Sequence, residues 1–216
     1  LKRYLAAAKA LLEAGRGRHT EAARALGRVV EAWEEAGQYA IADILRAHRV
    51  RSLLASGKVD EARSIVDAAL SRLDPKNAAL RLATFTRESA LINLRRANLK
   101  QAMSELDEAC RLFSEGGNRR EEVLTLYRIA HAALEQGDLE LAEERAKDAS
   151  KLARRIRHAR AVALSDEVSG RVALANDAPK EAATLLKRAM QGLRKLGDEL
   201  GTLHVSEALL RAHLVA

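Results

Sequence analysis

The chemistry this sequence offers is mostly cationic. Lysine and arginine number 37 against 30 aspartates and glutamates, a formal charge of +7. The densest run is Lys151, Arg154, Arg155, Arg157, His158 and Arg160. Guanidinium groups match carboxylates as bidentate donors, so acidic partners are favoured, although the excess falls short of the basic tracts of dedicated nucleic-acid binders. The run itself reads first as cations facing a helix C-terminus and second as a patch for nucleic acid or an acidic partner. Metal and catalytic chemistry find no support. His19, His48, His131, His158, His204 and His213 form no two-histidine helical motif with an acid, and Cys110 has no second cysteine, so no metal site is expected. The sequence has no glycine-rich phosphate loop, serine elbow or paired carboxylates on a strand-turn scaffold, so no enzyme activity and no cofactor are expected. A lone cysteine excludes an internal disulfide and favours a reducing, cytoplasmic setting. No apolar run approaches the ~20 residues that span a bilayer, and no signal peptide is evident, so no membrane partner is expected.

The elements that must position these side chains repeat. Gly17, Gly57, Ala97, Gly137 and Asp177 open the same short turn, and Ala22, Ala62, Ala102, Ala142 and Ala182 each follow five residues later, so the unit is 40 residues long. A period of this size marks a solenoid of stacked units, none able to bury its apolar face alone. The composition is helical, with 48% hydrophobic residues drawn mostly from Ala and Leu, 3% aromatics and two prolines.

Apolar spacing and breakers predict helices over Leu1 to Ala14 and Thr20 to Ala36, Tyr39 to Ser56 and Val59 to Leu73, and Ala78 to Arg96 and Leu99 to Glu115. They continue with Glu121 to Gln136 and Leu139 to Arg157, then Ala159 to Asn176 and a return helix with Pro179 in its first turn, for which Asp177 reads as the N-cap. The predicted repeats run over 1-37, 38-77, 78-117, 118-157 and 158-197 of a single domain, 1-216, with a final helix over 198-216. That helix carries Leu203, Leu209, Leu210, Leu214 and Val215, more apolar than a water-facing cap. It reads as the first half of a further repeat, with a capping helix as the alternative, and its apolar residues offer a surface for a homo-oligomer. The sequence opens at Leu1 inside a helix and without Met, which is the expectation for a piece of a longer protein.

The units resemble tetratricopeptide repeats over nearly the whole chain. The resemblance rests on a small residue in the outgoing helix (Ala10, Val50, Ala90, Ala130, Gly170), the glycine-type turn, the repeat alanine, and the later pairs Ala69-Leu70, Ala109-Cys110, Ala149-Ser150 and Ala189-Met190. It implies an all-α fold, a right-handed superhelical solenoid of antiparallel helix pairs with about five repeats plus one C-terminal helix. The family's usual repeat is about 34 residues; the longer repeat here is similar to the branch seen in spindle-orientation adaptors, kinesin light chains and the sensor arms of large bacterial transcriptional activators. The outgoing-helix aromatics are largely missing, and Val50 and Leu210 are bulky in the small column.

The resemblance also implies a concave groove lined by the outgoing helices. Its ligand-facing positions fall on Ile44, Ala47, Arg51, Leu54 and Ala55; Thr84, Arg87, Leu91, Leu94 and Arg95; Leu124, Tyr127, His131, Leu134 and Glu135; and Leu164, Glu167, Arg171, Leu174 and Ala175. The recurring leucines Leu54, Leu94, Leu134 and Leu174 read as packing rather than groove. Arg51, His131, Arg171 and, by extension, Arg211 occupy one column, with Arg87, Arg95 and Arg128 beside it and Tyr127 and Glu167 on the same face. Two readings compete for these cations: a groove for an acidic peptide or for the terminal carboxylate of a protein, or solvated faces with local partners such as Glu88 and Glu167. Trp33 and Cys110 read as packing. The function implied is a non-enzymatic protein-protein interaction scaffold in signalling or transcription regulation. A regulatory sensor arm of a larger protein is the alternative, and nucleic-acid binding through a basic surface the third.

Overall fold

The computed structural model describes residues 1-214; Val215, counted above among the apolar residues of the final helix, lies outside them. The described residues form eleven α-helices and no strand: α1 Lys2–Gly15, α2 His19–Glu34, α3 Tyr39–Ala55, α4 Val59–Arg72, α5 Ala79–Arg95, α6 Leu99–Glu115, α7 Arg119–Glu135, α8 Leu139–Arg155, α9 Ala159–Ala175, α10 Pro179–Lys195 and α11 Glu199–Leu214. None is long and apolar enough to cross a membrane. The protein forms two compact units, Leu1–Leu112 and Phe113–Ala216.

The helices are cut to length by one turn design. Gly17, Gly57, Ala97, Gly137 and Asp177 all take left-handed φ, and so, half a repeat on, do Gly37, Gly117, Arg157 and Gly197, all between 56° and 79°. The next residue donates its N–H back to the carbonyl five positions earlier: Lys58 to Leu53 at 2.9 Å, Asp138 to Ala133 at 3.0 Å, Ala178 to Ala173 at 2.9 Å. This closure satisfies the last carbonyls of one helix and reverses the backbone within three residues. Asp177 is therefore not the N-cap expected of it. It fills the glycine position of its turn, and the N-cap of α10 is Ala178, whose methyl group offers no acceptor for a capping bond. Aspartate tolerates this conformation better than most residues; Ala97 and Arg157 occupy it too. One turn departs from the design. At Asp74-Pro75 the carboxylate accepts from the Lys76 N–H at 3.0 Å and from Asn77 Nδ2 at 2.6 Å, closing the loop before α5.

Small residues let the helices approach. The repeat alanines Ala22, Ala62, Ala102, Ala142 and Ala182 are fully buried, as are Ala69, Ala109, Ala149 and Ala189. Within the first unit, Ala10, Leu26, Val30 and Trp33 form one core cluster, and Val50, Val66, Phe85 and Ile92 form another. Trp33 stacks edge-on against Tyr4 with ring centroids 4.9 Å apart. Val50, bulky for its column, is fully buried in the same cluster as Val66. The second unit has one cluster across α7 to α11, including Ala130, Val168, Leu186, Leu193 and Val205. Cys110 is half-buried. On α11, Leu203, Leu210 and Leu214 are exposed. The column of Leu203 is buried at Asp43, Ala83, Val123 and Ala163, and that of Leu210 at Val50, Ala90, Ala130 and Gly170.

Candidate functional site

The groove columns differ in what they expose. In each unit one outgoing helix packs against the next, α3 on α5 and α7 on α9. That contact closes over one column, so Ala47, Arg87, Tyr127 and Glu167 are buried rather than open to a ligand. The column of Arg51, Leu91, His131 and Arg171 lies at the margin of the contact and is half-buried. Arg95, Arg128 and Arg211 are exposed.

In the first unit the arginines meet an acid. Glu88 on α5 is fully buried, and its Oε1 accepts from Arg51 Nε at 2.9 Å and Nη2 at 2.6 Å. Arg87 Nη2 lies 3.5 Å from the same oxygen. A buried carboxylate needs compensating donors, and removing one is costly because the charge stays behind. Arg51 thus ties α3 to α5. Next to it, Arg63 of α4 donates to Ser89 Oγ and Asn93 Oδ1, both at 2.9 Å, and Asn93 Nδ2 donates to Glu105 at 2.8 Å. A second buried acid, Asp43, gathers Arg46, Arg72 and Arg81.

The second unit brings five of the expected residues together. Arg171 Nε donates to Glu167 Oε1 at 3.0 Å. The rings of Tyr127 and His131 meet edge-on at 6.0 Å, and the Arg128 guanidinium sits 5.6 Å from the Tyr127 ring centre. Burial, with Glu167 adding, pushes the Tyr127 hydroxyl up to about 12. Burial also holds the His131 imidazole below its ordinary value; Glu135 and Glu167 oppose that shift, while Arg128 and Arg171 reinforce it. His131 Nδ1 lies 3.5 Å from Glu135. At pH 7 the histidine is neutral and the phenol protonated, so the charges at this site belong to the carboxylates and arginines.

A cavity of about 500 Å³ opens beside this cluster, lined by Leu134, Leu174, Ala208, Arg171, Glu207 and Arg211, with Ala175 and Asp177 at its edge. Leu54, Leu94, Leu134 and Leu174 were expected to be packing; Leu54 is buried, Leu94 is half-buried, and Leu134 and Leu174 are half-buried and line the cavity. Arg211 donates to Glu207 at 2.8 Å and both are exposed. The arginines are each held through one nitrogen in these bonds, which leaves a fork of donors beside an apolar floor. Sequence reasoning missed Glu207, Ala208 and Asp177. Glu207 falls in the column of Arg87, Tyr127 and Glu167, one repeat on, so the periodicity carried the signal. Among the described residues no cluster of three metal-ligating side chains occurs.

The sequence matches no protein-family model and no curated protein. Its fold is shared with solved structures. A Rap protein complexed with Competence and Sporulation Factor superposes with a TM-score of 0.69 at 12% identity, over 98% of this chain and 64% of that one. The apo form of RapI gives 0.64 at 11% identity, over 99% of this chain and 84% of that one. BtubC (BKLC) from P. vanneervenii gives 0.65 at 16% identity, covering 90% and 86%. Kinesin light chain TPR-like repeats from Podosopora anserina give 0.61 at 16%, covering 92% and 97%. The protein thus has the TPR-like helical-repeat fold, and it spans a little under two thirds of the Rap protein solved as a complex.

Proposed function

We propose that the protein is a non-enzymatic, cytoplasmic protein-interaction module that binds an acidic peptide or partner segment against its outgoing helices, at the cavity of α7, α9 and α11. The observation that carries this reading is the pairing of an apolar floor, Leu134, Leu174 and Ala208, with the guanidinium forks of Arg171 and Arg211. Apolar contact supplies affinity, and the forks select a carboxylate. Glu167 holds Arg171 in place behind the cavity, and the Tyr127–His131 ring pair with Arg128 lies on the same face. In the first unit, Arg51 and Arg87 serve Glu88, so Arg95 is the groove cation there with the greatest exposure. Structures of the same fold support the reading, one of them a Rap protein in complex with Competence and Sporulation Factor.

The test is a titration with a fluorescent peptide combining glutamates and leucines. Arg211→Ala removes an exposed side chain whose loss leaves nothing buried unpaired, and should weaken binding about 3- to 10-fold, the share of a half-wet charge-assisted bond. Arg24→Ala plus Arg28→Ala, exposed cations of α2, should leave affinity unchanged. Equal losses in both proteins would reduce the effect to general charge.

A regulatory sensor arm is the second reading, favoured by the cavity's volume, which lies within the ~300–1,000 Å³ of small-ligand sites. A small carboxylate that displaces the peptide at comparable affinity selects it. The exposed Leu203 and Leu210, in columns buried elsewhere, support a homo-oligomer through α11; Leu210→Glu would then convert the assembly to monomer in analytical ultracentrifugation.

A further inference from the structure

The return helices of the second unit end differently from the others. Three columns, one at mid-helix and two at the helix end, with members forty residues apart, are cationic in α8 and α10: Lys147 and Lys187, then Arg154 and Arg194, and Arg155 and Lys195. The same columns hold Gly27, Asp67 and Asp107, then Glu34, Asp74 and Ser114, then Glu35, Pro75 and Glu115. The helix dipole favours cations at every C-terminus alike; the return helix α4 has one there, Arg72, bound to Asp43 and Glu34, so the dipole does not account for the doubled and repeated cations of α8 and α10.

The two ends share one edge. Both helices pack against α9, and the three-residue turns make each antiparallel to it. Asp166 of α9 joins them: its carboxylate, 4% exposed, accepts from Arg188 Nε and Nη2 at 2.6 Å each, and Arg154 Nη2 lies 3.7 Å away. Arg160, at the start of α9, donates to Asp198 at 2.8 Å. All three guanidinium groups stay more than half exposed in these pairs. Beyond them Lys151, Arg155, Arg157, Lys187, Arg194 and Lys195 are exposed and, among the described residues, make no ion pair.

We propose that this edge binds the phosphate backbone of a nucleic-acid duplex without reading its sequence. Cations repeated at a fixed interval suit a regularly charged polymer. From Leu139 to Leu200 the sequence has no Phe, Tyr or Trp, so it lacks the stacking platforms that hold single-stranded bases. Among the described residues, the one large exposed apolar side chain between α8 and the end of α10's turn is Leu196, too little to enter a lipid surface. The edge is separate from the cavity lined by Leu134 and Arg211, and its occupancy does not depend on the peptide reading.

The experiment is fluorescence anisotropy of the whole protein with a 20-base-pair duplex over a salt series. Six phosphate contacts would give a slope of log affinity against log salt of about −5. Arg155→Ala plus Lys195→Ala should make the slope shallower by about 2, while Arg24→Ala plus Arg28→Ala and Arg211→Ala should leave it in place. All three variants change exposed side chains, and circular dichroism checks that each stays helical. Absence of saturable binding at low salt overturns the proposal. So does an equal change in slope from the α2 pair, or displacement of the duplex by polyglutamate or by anionic vesicles at matched charge, since either competitor would mark a different class of partner.

Discussion

Gly170 and Leu186 form a size-matched pair whose coupling can be worked out from the structure. A Cβ placed on Gly170 would stand 2.7 Å from Leu186 Cγ, 3.0 Å from its Cδ2 and 3.3 Å from Leu185 Cβ. Ordinary carbon contacts are about 3.5–4.0 Å, and Leu186 is fully buried, with the clash at its branch point rather than its tip. Overpacking of this kind costs about 1–3 kcal/mol, and replacing glycine within a helix recovers about 1 kcal/mol. Gly170→Ala should therefore destabilise the protein by about 1 kcal/mol, the midpoint of a range of about 0–2 kcal/mol. One repeat earlier the same two columns hold Ala130 and Ala146, both fully buried. Leu186→Ala alone should cost about 3 kcal/mol through the cavity it leaves. In that background Gly170→Ala should stabilise by about 1 kcal/mol, since the clash is gone and the propensity gain remains. Urea unfolding of the four proteins followed by circular dichroism measures the cycle, with an expected coupling of about 2 kcal/mol. An unchanged effect of Gly170→Ala in the two backgrounds would refute the packing argument.

Three further outcomes follow from particular residues. Arg51→Ala should destabilise by about 1–3 kcal/mol because it strips a donor from the buried Glu88 carboxylate, and adding Glu88→Gln should restore part of that loss in the same unfolding assay. Ala97→Gly should stabilise by about 0.5 kcal/mol, since a left-handed alanine costs about 1–2 kcal/mol and glycine loses about 0.5–1 kcal/mol more on folding; a melting-temperature comparison decides it. Burial lowers the His131 pKa in the folded protein, so the unfolded state binds its proton more readily. Stability should thus fall as pH drops below the ordinary histidine value of about 6.5, and His131→Gln should flatten the loss between pH 7 and 5 in pH-dependent unfolding.

The turns and buried small columns were legible because one residue type recurs where one backbone geometry does. Gly137 and its equivalents marked the left-handed positions that close the outgoing helices, whereas Arg157 was read as the last residue of its helix, and Ala142 and its equivalents marked where helices touch. Asp177 was misread because aspartate has two roles at a helix boundary, capping the next helix or closing the last, and only its alignment with the glycines separates them. The pairings Arg51 with Glu88 and Arg171 with Glu167 were visible as the competing reading of the same cations. What the sequence left undecided was which groove columns are covered. Leucines alike in type and register differ in burial, Leu54 buried but Leu94, Leu134 and Leu174 half-buried, and nothing in the residue itself tells them apart. Glu207 was missed because only the column of Arg171 was extended into the final helix, and not that of Glu167.

The most direct measurement is methyl NMR on the protein labelled at leucine and alanine, titrated with the glutamate-leucine peptide. The methyl groups of Leu134, Leu174 and Ala208 should shift saturably with one affinity, and exposed Leu80 and Leu99 of the first unit should not. Saturable shifts confined to leucines outside the cavity, or none at peptide concentrations that saturate the fluorescence signal, would contradict the assignment of the acidic ligand to α7, α9 and α11.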